Sequence, residues 1–177
     1  SAIGAQYLLT HPDDFSRCVF SAPMFGIKPA LPNWLAMCLV KSHLCINNNF
    51  SQQPWYFLGQ SDYLAKPFEQ NELTHSRARY AIFRREYDEH DDLKLGGVTN
   101  RWLYAALRSM QAIQHRADEI RQPILLLQAQ HDEVVDNTAQ NRICSRLATC
   151  KTVVLPNAKH GSLLGDDEIR DKCLRGI

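Results

Sequence analysis

The spacing of apolar positions changes along the chain, and each change marks an element. Ala2–Leu9 (AIGAQYLL) is a run of small and apolar residues closed by Thr10-His11-Pro12. Pro12 restricts the residue before it, so a helix is expected to end there. Arg17–Ala22 (RCVFSA) has the composition of a short buried strand and stops at Pro23, which no central strand can contain. From Met24 to about Arg121 the alternation of strands and helices disappears. Pro29 and Pro32 break the chain early, and Asn33–Val40 carries an apolar helical pattern. Ile46–Gln53 is polar enough to be expected as a loop, and Thr74–Tyr87 is Arg-rich and helical in period. After the break at Gly96-Gly97, Thr99–Ile113 gives the clearest helix, with Trp102, Ala106, Met110 and Ile113 at three- and four-residue intervals. Alternation then resumes. Ile124–Gln128 is a strand rich in Leu and Ile, as in a sheet covered on both faces. Asn137–Leu147 is a helix with Asp136 or Asn137 as cap, Thr152–Leu155 a strand, and Asp166–Ile177 a helix. The expected class is α/β, with a long helical insertion between two strands.

Two of these strands end alike. QPILLLQAQHDEVVDN runs from Gln122 to Asn137, and its apolar stretch stops at a polar turn holding Asp132. TVVLPNAKHG runs from Thr152 to Gly161 and delivers His160. Ligands and chemistry in an α/β sheet sit beyond the carboxyl ends of the strands. An acid after one strand and a His after the next is the back half of the order Ser, Asp, His used by α/β-hydrolases. In that role Asp132 accepts the Nδ1–H of His160 and stabilises the imidazolium. The competing reading makes Asp132 a solvated turn carboxylate with Glu133 and Asp136 as rivals, and His160 an ordinary surface histidine. Asp136 is better explained as a helix cap. His131 is expected to point away from Asp132, and His11, His43, His75, His90 and His115 lack the placement. No serine fits the nucleophile: Ser1, Ser21 and Ser162 lack the flanking glycines of a G-x-S-x-G elbow.

Composition narrows the classes. The chain has 177 residues and a net charge of +1, so charge points to no nucleic acid. No apolar run reaches the ~20 residues of a membrane span, and no signal peptide is evident at the start. The cysteines Cys18, Cys38, Cys45, Cys144, Cys150 and Cys173 contain no Cys-x-x-Cys spacing, which argues against zinc. They are expected to be reduced and mostly buried, as in a cytosolic protein. Arg77, Arg79, Arg84 and Arg85 could meet a phosphate. A solvated helix face neutralised by Glu86, Asp88 and Glu89 is the preferred reading.

Several segments resemble a known family. AIGAQYLLTHP followed by VFSAPMFGI, then LTHSRARY, GGVTNRWLYAAL and LLLQAQHDEVVDN, are similar to segments of the bacterial lysophospholipase L2 and monoacylglycerol lipase family. The resemblance implies a serine hydrolase with a helical cap over its site, acting on a lipid ester without metal or organic cofactor. It places the catalytic acid on Asp132 and the base on His160. It also implies a division into a partial α/β-hydrolase core, residues 1–23 and 122–177, and a cap, residues 24–121. The cap would shape an acyl-chain pocket, with Met24, Phe25 and Trp102 as candidate walls; Trp102 also fits plain cap core. The family's G-H-S-x-G-G motif precedes the Ala-Ile that here is Ala2-Ile3, so the nucleophile would lie upstream of Ser1. The expectation is therefore a C-terminal piece of a cytoplasmic enzyme with peripheral contact to the inner membrane, inactive alone and prone to self-association through an open sheet edge. Two other readings stay open: an α/β-hydrolase with an Asp nucleophile, of dehalogenase or epoxide hydrolase type, and a non-catalytic interaction module.

Overall fold

A parallel three-stranded sheet in the order β1-β2-β3 frames the protein, with Cys18–Ser21 as β1, Ile124–Ala129 as β2 and Cys150–Leu155 as β3. The computed structural model describes residues 2–28 and 31–176; Ser1, Pro29 and Ile177, which carry parts of the sequence reading, lie outside them. The helices are Ala2–Thr10 (α1), Asn33–Phe50 (α2), Arg77–Glu89 (α3), Asn100–Arg116 (α4), Asn137–Cys144 (α5) and Asp167–Arg175 (α6).

β2 is central, with Phe20 of β1 and Thr152 of β3 both in register with Leu126. Its side chains alternate between two apolar layers, because strand residues point to opposite faces in turn. Ile124 and Leu126 enter a cluster with Ala5 and Leu8 of α1, Ile113 of α4 and Ile143 of α5. Leu127 and Ala129 enter a second cluster with Ile169 and Cys173 of α6. Burial on both faces explains why β2 reads as an unbroken apolar run instead of an alternating one. Between β1 and β2, Met37 and Val40 of α2 pack on Leu107 and Met110 of α4. The far end of α4 belongs elsewhere: Ile113, and Ala117 beyond it, join the main cluster against the sheet.

Side-chain caps start the helices where the sequence offers them. The Asp136 carboxylate accepts from the Thr138 amide, Thr99 from Trp102 and Ser76 from Arg79. Each satisfies one of the free amides at a helix start.

Two expectations are corrected. The stretch from Ile46 is not a loop; α2 continues to Phe50. One of its polar side chains is drawn inward, while Asn48 and Asn49 stay exposed. Asn47 is fully buried, its Oδ1 accepting from the Trp55 amide and from Asn100 Nδ2 while its Nδ2 donates to the Gln53 carbonyl. A buried polar network looks like a solvated loop in sequence. The cysteines also differ. Cys144 and Cys150 form a disulfide, because the short connection from α5 to β3 turns the chain back on itself and leaves their Cα atoms 5.4 Å apart. Of the four free thiols only Cys173 is buried, and Cys38 and Cys45 are exposed. Burial pushes the Cys173 thiol up from its ordinary pKa.

The arginine cluster is engaged within the protein. Arg77 pairs with Glu69, Arg79 with Asp167, Arg84 with Asp88 and Arg85 with Glu89.

Candidate active site

The ladder between β2 and β3 does not stop where the strands do. The Gln130 amide donates to the Leu155 carbonyl at 3.1 Å, and the His131 amide to the Ala158 carbonyl at 2.9 Å. β3 is followed by a turn in which Asn157 takes the left-handed φ of 57°, a conformation Asn tolerates better than most residues. Asn157 is held from the neighbouring turn, its amide donating to Gln130 Oε1. Two loops laced together in this way leave the same rim of the sheet. One carries Asp132, the other His160.

The structure brings these two residues together: Asp132 Oδ2 lies 2.9 Å from His160 Nδ1. The other carboxylate oxygen, Oδ1, accepts the amides of Val134 and Val135 at 2.9 Å each. One oxygen thus meets the histidine and the other the turn amides, and the carboxylate is buried instead of solvated. The Asp132 side chain is fully buried, while 27% of the His160 side chain remains exposed. His131 is exposed, and its ring makes no bond to Asp132. Lys28 Nζ reaches in from beyond β1 and donates to the Asp132 carbonyl at 2.7 Å.

Burial alone would raise the pKa of Asp132. The hydrogen bond from His160 and the amides of Val135 and Val134 outweigh it, holding the carboxyl below the ordinary 3.8. Asp132 is thus an anion at neutral pH. An anionic acceptor requires Nδ1 to carry the imidazole proton, which leaves Nε2 of the neutral ring free to act as a base. A depressed carboxyl pKa stabilises the fold fully above the unfolded value and loses that contribution as pH falls through the folded one. Urea midpoints of the wild-type chain and of Asp132→Asn should therefore converge on acidification below about pH 4. A gap that stays constant down to pH 2 would show that ionised Asp132 contributes nothing to stability.

The His160 loop is held from its other side by the segment before α3. Three consecutive carbonyls accept from three consecutive residues: Asn71 from Lys159 Nζ at 2.7 Å, Glu72 from the His160 amide at 3.3 Å, and Leu73 from the Gly161 amide at 2.9 Å. A Cβ on residue 161 would lie 2.9 Å from the Leu73 oxygen, so this approach requires Gly161. Sequence reasoning missed this segment, Lys28 and the two valine amides. Only the turn was signalled, since an Asp commonly bonds backbone amides two and three residues on. Pairings across about ninety positions leave no local mark.

A cavity of about 820 Å³ lies between α2, α4 and the loops beyond β1 and β2. All three candidate wall residues line it. Phe25 is buried, Met24 is partly buried, and Trp102, 49% exposed, stands outside the apolar cluster between α2 and α4. Asp132 and His160 are not among the lining residues. Val134 and Val135, whose amides hold Asp132, are. Among the described residues no group of His, Cys, Asp and Glu is arranged to hold a metal.

The model of the serine aminopeptidase S33 family matches residues 1–168. The chain belongs to that family. It is 29% identical over 186 residues to lysophospholipase L2 of Escherichia coli strain K12, an alignment covering 99% of this chain and 53% of the relative. It is 28% identical over 177 residues to the probable lysophospholipase L2 of Haemophilus influenzae, covering 99% and 54%. This S33 chain thus spans about half the length of the curated relatives it matches. Among solved structures it resembles the Paleococcus ferrophilus monoacylglycerol lipase, with a TM-score of 0.70 and 18% identity over 98% of this chain and 61% of that one. It also resembles a soluble variant of the Saccharomyces cerevisiae monoglyceride lipase, with a TM-score of 0.67 and 15% identity over 98% and 58%. The parallel sheet with flanking helices is part of an α/β-hydrolase fold, as in those two lipases.

Proposed function

We propose that the whole enzyme containing these residues releases a fatty acid from a lysophospholipid or monoacylglycerol, with Asp132 and His160 as two members of a Ser-His-Asp triad. The observation that carries this reading is the 2.9 Å contact between a buried, ionised carboxylate and a partly exposed imidazole at the carboxyl rim of a parallel sheet. His160 Nε2 takes the proton of a serine hydroxyl as its oxygen attacks the ester carbonyl. The tetrahedral intermediate collapses, and His160 gives that proton to the departing alcohol. Water then enters, loses a proton to the same nitrogen, and releases the fatty acid and the serine. Asp132 keeps Nδ1–H pointed at itself throughout.

Among the described residues no serine, threonine or cysteine side chain bonds the His160 ring. The resemblance supports placing the serine of this scheme in a G-H-S-x-G-G elbow ahead of Ala2-Ile3. The helical segment 24–121 acts as the cap, and the cavity that includes Met24, Phe25 and Trp102 receives the acyl chain. Its volume and apolar lining suit a flexible hydrocarbon. Leu31, Leu58 and Trp102 expose apolar surface at its edge, which supports delivery of the lipid from a membrane surface. No described helix is long and apolar enough to cross a membrane.

The test compares the whole enzyme with this chain alone on a lysophospholipid, a monoacylglycerol and a p-nitrophenyl ester. The whole enzyme should release fatty acid from at least one of the lipids. The 177-residue chain should show no turnover, since on this reading it lacks the serine that attacks the ester. It should also elute larger than a monomer, because β1 is an edge strand with Val19 exposed and Ile3 and Phe15 exposed beside it. Turnover by a monomeric chain would refute the missing-serine part of the reading.

A further inference from the structure

We propose that the Asn71–Thr74 segment of the cap is a strap that orients the His160 imidazole, and that Asn71 is the positioning residue that shapes it. The inference rests on the triad reading above, and its test separates the two. An imidazole is aimed by two things: the partner of one ring nitrogen and the backbone its Cα belongs to. Asp132 supplies the first. The second comes from the strap, because the amides of His160 and Gly161 both donate to it, to Glu72 and Leu73. Lys159 Nζ closes the third contact on the Asn71 carbonyl.

Asn71 is only 4% exposed, and every polar atom of its side chain is used. Nδ2 donates to the Phe68 carbonyl at 2.6 Å, and Oδ1 accepts the amides of Leu73 at 3.0 Å and Thr74 at 2.9 Å. Those bonds curl residues 71–74 so that three successive carbonyls face the His160 loop. Thr74, 1% exposed, fixes the far end: its hydroxyl donates to the Leu164 carbonyl and accepts from the Ser76 amide. Arg79 continues the tie, donating to the Gly165 carbonyl and to Asp167 at the start of α6. The segment that roofs the site and the loop that carries the base are thus one hydrogen-bonded unit. A shift of the cap at residues 71–73 carries His160 with it.

The measurement is the tautomer of His160 in this chain. Two-bond ¹⁵N correlation spectra are recorded at about pH 8.5, above the histidine titration range. The His160 signals are identified by their absence in His160→Ala. Wild-type His160 should be the Nδ1–H form that Asp132 demands. Asn71→Ala and Lys159→Met should each move it toward the Nε2–H form of a freely hydrated ring, with the circular dichroism spectrum unchanged. A residue with a purely structural role would lower the melting temperature and leave the tautomer alone.

The proposal fails if His160 is Nε2–H in the wild type, or if Asn71→Ala folds with the tautomer unchanged. Should Asn71→Ala not fold, Lys159→Met decides, since it removes one donor from a half-buried chain. The tautomer is read whether or not the pair turns over an ester. A shifted tautomer in the strap variants, beside a whole enzyme indifferent to His160→Ala, would remove the triad and leave the strap. An unshifted tautomer beside an enzyme killed by His160→Ala would do the reverse.

Discussion

Replacing His160 by Ala in the whole enzyme is expected to lower kcat for ester hydrolysis by about 10⁶-fold, with KM little changed. The size follows from what is removed. Without Nε2 the serine keeps its proton, attack on the carbonyl begins from a neutral hydroxyl, and the alcohol leaves without a proton donor. Asp132→Asn should cost less, about 10⁴-fold, and in a diagnostic way. An Asn at 132 can still accept the Val134 and Val135 amides with its oxygen. The second arm then presents NH₂ to His160 Nδ1, where the wild type presents an anion. A donor facing Nδ1 forces the proton onto Nε2, the atom that must be empty. The protein stays folded with its base in the wrong form. Equal kcat values for Asp132→Asn and the wild type would end the triad reading, and so would a His160→Ala enzyme within tenfold of the wild type. The competing interaction-module reading predicts that outcome.

What could be read from the sequence and what could not divide by the range of the interactions. The strands β1, β2 and β3 and the helix α4 announce themselves through local period, because burial on a strand or a helix stripe repeats every two or every three to four residues. Asp132 and His160 were legible for a topological reason: consecutive parallel strands of one sheet end at the same rim, so residues just past their ends are neighbours. The end of α2 was misread because polarity was equated with solvent, whereas Asn47 and Asn100 are both fully buried against each other. The disulfide was missed because compartment and chain length outweighed geometry, and the geometry of the turn from Cys144 to Cys150 appears only in three dimensions. The contacts of Asn71–Leu73 with Lys159–Gly161 were invisible since they use backbone carbonyls, which every residue possesses. The core is written in side-chain period and the site in topology. The aim of the base is written in main-chain pairings that carry no sequence signature.

Leu126→Ala should destabilise this chain by about 3–5 kcal/mol, the upper part of the range for buried leucines. Leu126 is 0% exposed and sits on the central strand, in register with Phe20 of β1 and Thr152 of β3. Its cluster is supplied by α1, α4 and α5 together with β1. Four elements converge on one side chain, so none can move in to fill the space without opening a gap elsewhere, and most of the cavity should persist. Val154→Ala serves as the internal reference. It lies on the edge strand β3 and is 49% exposed, so its cost should stay within about 0.5 kcal/mol. The readout is the urea midpoint at one fixed chain concentration, since any self-association adds its own stabilisation. If Leu126→Ala cost no more than Val154→Ala, β2 would not be the packed centre of the sheet. The shared rim that brings Asp132 to His160 would then have no rigid support. If the large difference appears, the same strand that anchors the core is the one that holds Asp132 still enough to fix a tautomer.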